Sequence, residues 1–136
     1  MNYWIIPANP KRYKLKDALK DLNGIIDWRQ HNNFEIGDIV YIYCSKPISQ
    51  IIYKMEVMAI DITIEYTIAD QQYWSTSLEF KASLKNNRFF RISLLAENKQ
   101  RKLTLNDLLN NGLKSAPQGT LKVKEPLLSY LHNNFE

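Results

Sequence analysis

The chain is predicted to fold as an α+β domain, a curved sheet or partly open β-barrel with peripheral helices. Three observations point there. Strand-like alternation fills the middle of the sequence, helical spacing is confined to short stretches toward its ends, and no repeat or low-complexity linker interrupts the 136 residues. The chain reads as one continuous unit, residues 1–136. A hydrophobic fraction of 45% is enough for a core without covalent staples.

Taken in order, Tyr3-Trp4-Ile5-Ile6 is an apolar strand that runs into the turn Pro7-Ala8-Asn9-Pro10. Leu15, Ala18, Leu19 and Leu22 follow helical spacing, and Gly24 is placed to end that helix. Asp27-Trp28-Arg29-Gln30 reads as a polar connection. Asp38–Cys44 is apolar on both alternating sets, as a central strand is. Ile51, Tyr53, Met55, Val57 and Ala59 share one parity while Lys54 and Glu56 take the other, which predicts a strand with one wetter face. Phe90, Ile92 and Leu94 alternate with Arg91 and Ser93 in the same way. Thr104-Leu105-Asn106-Asp107 has the form of a capping box opening a helix with Leu105, Leu108 and Leu109, and Gly112 is its stop. Pro126 suits the first turn of a last helix carrying Leu127, Leu128, Leu131 and Phe135.

Composition narrows the chemistry. The single cysteine, Cys44, excludes an internal disulfide, and two histidines do not complete a zinc cage with it. Cys44 sits in an apolar strand and reads as a buried, inert thiol. No basic start precedes an apolar leader, and no segment has the length of a membrane span, so the expected home is the cytoplasm. Net charge is +4, unevenly spread. Lys11, Arg12, Lys14, Lys16 and Lys20 cluster against Asp17, and Lys81, Lys85, Arg88, Arg91, Lys99, Arg101 and Lys102 face only Glu97. Met55 to Phe80 carries five acids and no base. The basic clusters are candidates for phosphate contacts, or else ordinary solvated faces.

No Gly-rich phosphate loop, metal-ligand histidine pair or nucleophile elbow is present, so the chain is expected to be a binding module that needs no cofactor or metal. His31 and His132 both lie in polar, Asn-rich sequence and read as surface residues. A strand end, a tryptophan in a polar connection and an adjacent arginine are the parts that hold a flat, polar-edged ligand such as a nucleobase. Trp28 is a pocket wall or a core anchor, and Trp4 a core anchor or a second wall. Asn9 offers both a donor and an acceptor to a base edge, or serves the turn before Pro10.

The order strand, Asn-Pro turn, helix, Trp28-Arg29 and then Gly37-Asp38-Ile39-Val40-Tyr41-Ile42-Tyr43-Cys44-Ser45 resembles an EVE domain of the PUA-like superfamily. More distantly it is similar to the YTH modified-base readers. Within the EVE group it looks most like the domain that precedes nuclease modules in modification-dependent restriction proteins, a branch that Asn111-Gly112-Leu113-Lys114-Ser115-Ala116-Pro117-Gln118-Gly119 also fits. The resemblance spans most of the chain and is weakest between about Ile62 and Lys85.

It implies a PUA-like fold and a non-catalytic reader that takes a flipped, modified base, modified cytosine in DNA first. N6-methyladenine, or an RNA-binding or RNA-modification accessory role, is the alternative. Trp28 matches the tryptophan of the EVE Trp-Asp-Gly-Val-Arg-Asn loop, although Arg29 here follows it directly. Ala8 and Asn9 match the backbone and polar group at the base edge, and Tyr43 and Ser45 the aromatic-x-Ser strand end. Trp74 or Tyr73 would close the pocket, with Gln118 at its border, while Arg29, Lys11, Arg12, Lys85, Arg88 and Arg91 would hold phosphates. The implied partners are nucleic acid, DNA ahead of RNA, and a nuclease or other effector protein. The chain itself lacks the histidine–asparagine–histidine set of such a nuclease.

Overall fold

One mixed sheet carries the chain. The computed structural model describes residues 1–135. Its strands are β1 (Tyr3–Ala8), β2 (Ile25–Arg29), β3 (Ile39–Cys44), β4 (Gln50–Ile62), β5 (Phe89–Glu97) and β6 (Leu121–Lys122), in the spatial order β2-β5-β4-β3-β1-β6. β1 runs parallel to β3, and the other pairings are antiparallel. Helices α1 (Leu15–Asp21), α2 (Ser77–Ser83), α3 (Leu105–Leu109) and α4 (Leu127–Asn134) complete the open, curved α+β architecture. Among the described residues no helix is long and apolar enough to cross a membrane.

The alternation of side chains divides the core in two. Trp4, Ile6 and Ala8 of β1 join Val40, Ile42 and Cys44 of β3 in one cluster, which α1 covers with Leu15, Ala18 and Leu19. The opposite parity, Ile5 with Ile39, Tyr41 and Tyr43, packs under Leu108 of α3 and Leu127 and Leu131 of α4. β3 is buried at every position because both of its faces are covered. β4 meets β5 through register shifts at Lys54/Met55, Val57/Ala59 and Ala59/Ile62. Extra residues at such bulges bend a strand and raise its twist, which curves the sheet around the first cluster.

Local signals act as their chemistry requires. Thr104 and Asp107 form the reciprocal capping box of α3. Gly24 takes φ +79° after α1 and donates its N–H to the Leu19 carbonyl at 2.7 Å. A Cβ there would lie 3.1 Å from the Leu94 Cβ, so the turn needs glycine for both conformation and space.

Two expectations are corrected. Trp28 lies inside β2, opposite Phe90 of β5, and not in a connection. Asp27 and Gln30 beside it are buried, with partners from far along the chain at Arg91 and Asp61. Asp27 binds Arg91, and the Gln30 side chain accepts the Asp61 N–H and donates to the Asn32 carbonyl. Charge separated along the sequence is also brought together in space. Arg88 meets Asp61 at 2.7 Å, Arg91 meets Asp27 at 2.8 Å, and Arg12 approaches Glu79 at 3.8 Å.

Candidate nucleic-acid interface

The long excursion between β4 and β5 builds the site. It contains single 3-10 turns at Ile64–Tyr66 and Gln71–Tyr73, then α2. Its middle is zipped to the segment after β1, where the Lys14 N–H donates to the Tyr73 carbonyl and the Ser75 N–H to that of Arg12. Tyr13 and Trp74 pair as an isolated bridge between them. This pairing brings Trp74 beside the end of β2.

Three aromatic rings then gather there, two of them beneath one arginine. Tyr13 packs edge-on against Trp28, with ring centroids 5.3 Å apart, and against Trp74 at 4.9 Å. The Arg29 guanidinium lies over both indoles, its Cζ 4.9 Å from the Trp28 ring centroid and 5.3 Å from that of Trp74. Each such contact favours the cation by about 0.5–2 kcal/mol, depending on solvent exclusion. No acceptor or ion-pair partner among the described residues meets the Arg29 side chain. Burial pushes its proton affinity down, and the nearby Asp70 acts against that.

Asp70 accepts the Tyr13 hydroxyl at 3.1 Å. Burial pushes the Asp70 carboxyl up, while the bond from Tyr13 holds it back. Burial likewise raises the Tyr13 phenol, reinforced by Asp70. The indole N–H of Trp74 is buried without an acceptor in hydrogen-bonding geometry, although it still favours the Asp70 carboxylate by proximity.

Trp28, Arg29 and Trp74 form the wall between two cavities. The outer one, of about 720 Å³, is a cleft reaching from the end of β1 to Gln118. Lys11, Arg12 and Lys46 stand exposed at its mouth, and Glu79 lines it from α2. The inner one, of about 440 Å³, lies under the excursion and is lined by Asp27, Asp70, Phe80 and Phe89 among others. Both volumes fall in the range of ordinary ligand sites, about 300–1,000 Å³.

The cleft collects Trp28, Asn9, Tyr43, Ser45, Trp74 and Gln118, together with Arg29, Lys11 and Arg12. Asn9 does double work, because its side-chain carbonyl accepts the Lys11 N–H at 2.9 Å and its amide N–H groups stay unengaged among the described residues. The Ser45 hydroxyl only reaches the Ala8 carbonyl, at 3.4 Å.

Five expected residues are placed elsewhere. Trp4 belongs to the core, edge-on to Phe34 at 4.8 Å, with its indole N–H bound to Asp38 at 3.0 Å. Ala8 is buried in the same cluster. Arg88 and Arg91 are engaged by acids, Arg91 through a two-point contact with Asp27. Lys85 is exposed and lines neither cavity.

Sequence reasoning missed Tyr13, Asp70 and Glu79. A single aromatic within the basic run Lys11-Arg12-Tyr13-Lys14 was the one available signal for the first, and nothing in the local sequence marks the other two. Cys44 is buried, and burial pushes its thiol up to about 12, as an inert core cysteine requires. Among the described residues no three His, Cys, Asp or Glu side chains cluster as metal ligands would.

No family model matches the sequence, and no curated protein matches it significantly. Solved structures do share the fold. The ASCH protein of Zymomonas mobilis is similar at TM-score 0.68 with 14% identity, over 99% of this chain and 96% of that one. A Rhodopseudomonas palustris protein gives TM-score 0.67 at 11% identity, over 99% and 93% of the two chains. A Pseudomonas syringae protein gives 0.63 at 17%, over 96% and 97%. The chain thus shares the overall fold of the ASCH protein, the open α+β sheet with peripheral helices that the sequence led one to expect.

Proposed function

We propose that this chain is a nucleic-acid-binding module, not a catalyst, that takes one extruded base into the cleft bounded by Trp28, Trp74 and Tyr43. The observation that carries this reading is the grouping of aromatic walls, free amide and hydroxyl groups and an exposed basic mouth in one space of about 720 Å³. Stacking on indole contributes about 1–3 kcal/mol per base, Asn9 and Gln118 offer edge contacts, and Lys11, Arg12 and Lys46 hold flanking phosphates. Within this reading a modified base, cytosine first, follows the EVE-like motif order.

RNA is the second reading, since the fold is shared with ASCH domains and PUA-like folds bind RNA widely. Matched oligonucleotides, plain and carrying 5-methylcytosine, 5-hydroxymethylcytosine or N6-methyladenine, in DNA and RNA form, test both. A salt-dependent affinity with preference for one mark supports the reader. Binding insensitive to salt, or absent with every oligonucleotide, sinks the nucleic-acid reading.

A further inference from the structure

We infer that Arg29 reads the edge of the bound base, and that this base presents two adjacent in-plane acceptors, the N7/O6 edge of guanine or the N3/O2 edge of cytosine. The inference rests on the base-binding reading above and specifies it.

Arg29 stands apart from the other arginines around the site. Arg12, Arg88 and Arg91 each meet a carboxylate, whereas the Arg29 side chain has no acceptor among the described residues. Guanidinium carries five N–H donors, and none of the Arg29 nitrogens is among the buried polar atoms left without a partner, so these donors open on the cavities, where a ligand can replace water. The side chain is largely withdrawn from solvent and borders both cavities. Its Cζ lies over the rings of Trp28 and Trp74, so a partner that meets its N–H donors is held beside both indoles.

Local charge decides between a base edge and a phosphate. Asp27 and Asp70 line the inner cavity with Arg29, and Glu79 lines the outer cleft. Asp27 and Glu79 are already paired with Arg91 and Arg12, so it is Asp70, bonded to the Tyr13 hydroxyl and without a cationic partner among the described residues, that disfavours a phosphate at this depth, while the mouth supplies Lys11 and Lys46 for phosphates. A planar fork of donors pairs with two adjacent acceptors, as arginine does with guanine N7 and O6. Cytosine N3 and O2 form the same pair. Adenine and uracil or thymine place a donor beside each edge acceptor and do not match.

The test uses end-labelled single-stranded heptamers with one central base among abasic sugars, in ribose and deoxyribose form. The central position is guanine, cytosine, adenine, or uracil/thymine, and a fully abasic heptamer serves as reference. Fluorescence anisotropy is read on the parent and on Arg29→Lys, which keeps the charge and removes the fork.

Guanine or cytosine should bind about 5- to 150-fold tighter than adenine and uracil or thymine, and Arg29→Lys should abolish that preference. Adenine or uracil binding as tightly as both, or a preference that survives Arg29→Lys, overturns the edge assignment and leaves the base pocket standing. If no base binds more tightly than the abasic reference, the base pocket itself is lost along with the assignment. The base series on the parent chain decides even where the variant is unstable.

Discussion

At the start of β1, Trp4 packs against Phe34 and gives its indole N–H to a carboxylate that is saturated by the chain itself. At the end of β2, Trp28 packs against Tyr13 and, with Trp74, holds an arginine that has no acceptor among the described residues. Asp38, at the first place, is 1% exposed and accepts N–H groups from Asn2, Glu35 and Trp4 at 2.9, 3.0 and 3.0 Å. Arg29, at the second, has cavity on both sides. Two tryptophans of nearly equal exposure, 7% and 6%, therefore serve different ends. Satisfied polar partners mark a structural corner, and unsatisfied donors beside open space mark a place for a ligand.

The largest expected effect breaks the structural corner. Asp38→Ala strands three donors, at about 1–3 kcal/mol each, and should cost about 3–5 kcal/mol by urea unfolding. A loss below about 1 kcal/mol would show that water replaces the carboxylate freely.

Acid should loosen the same corner. Burial pushes the Asp38 carboxyl up, but the N–H groups of Asn2, Glu35 and Trp4 together outweigh it and hold it below the usual range. Its stabilisation is therefore complete above the unfolded value of about 4 and disappears as pH falls through the lower folded value. Melting temperatures from pH 6 to pH 2 should show this loss in the parent and not in Asp38→Asn.

Trp28→Ala should also lose about 3–5 kcal/mol of stability, because the ring is core as well as wall. Trp74→Ala is the cleaner probe of the site. Partly exposed, it should unfold less readily than Trp28→Ala while losing about 1–3 kcal/mol in oligonucleotide affinity. Unchanged affinity would remove Trp74 from the wall.

The smallest effects separate cleft from surface. Arg88→Ala breaks a solvent-exposed pair with Asp61 and should change stability by less than about 1 kcal/mol and affinity not at all. Lys46→Ala at the cleft mouth should leave stability alone and reduce the slope of log K against log salt by about 0.7–0.9.

How far the sequence could be read follows the same contrast. The unbroken apolar run of Asp38–Cys44 reflects burial of both faces and the alternation of Ile51–Ala59 burial of one, so the central strands were plain, and the Thr104 capping box is a local hydrogen-bond device that needs no distant partner. Trp28 looked like a loop residue because Asp27, Arg29 and Gln30 are polar, and the groups that make the burial of Asp27 and Gln30 tolerable, Arg91 and Asp61, lie elsewhere in the chain. Trp74 and Asp70 were obscure for a related reason. The excursion carrying them owes its shape to pairing with Arg12–Lys14, which leaves no period in either segment.

The claim that one tryptophan corner is structural and the other receives a base can be tested on a single sample. The three indole N–H resonances, assigned with single Trp→Phe variants, are followed by two-dimensional NMR while a single-stranded oligonucleotide is titrated in. The account predicts that the Trp28 and Trp74 signals shift or broaden and that the Trp4 signal, held by Asp38, stays in place. A titration that moves Trp4 while Trp28 and Trp74 remain still, or that saturates with all three unmoved, would contradict it.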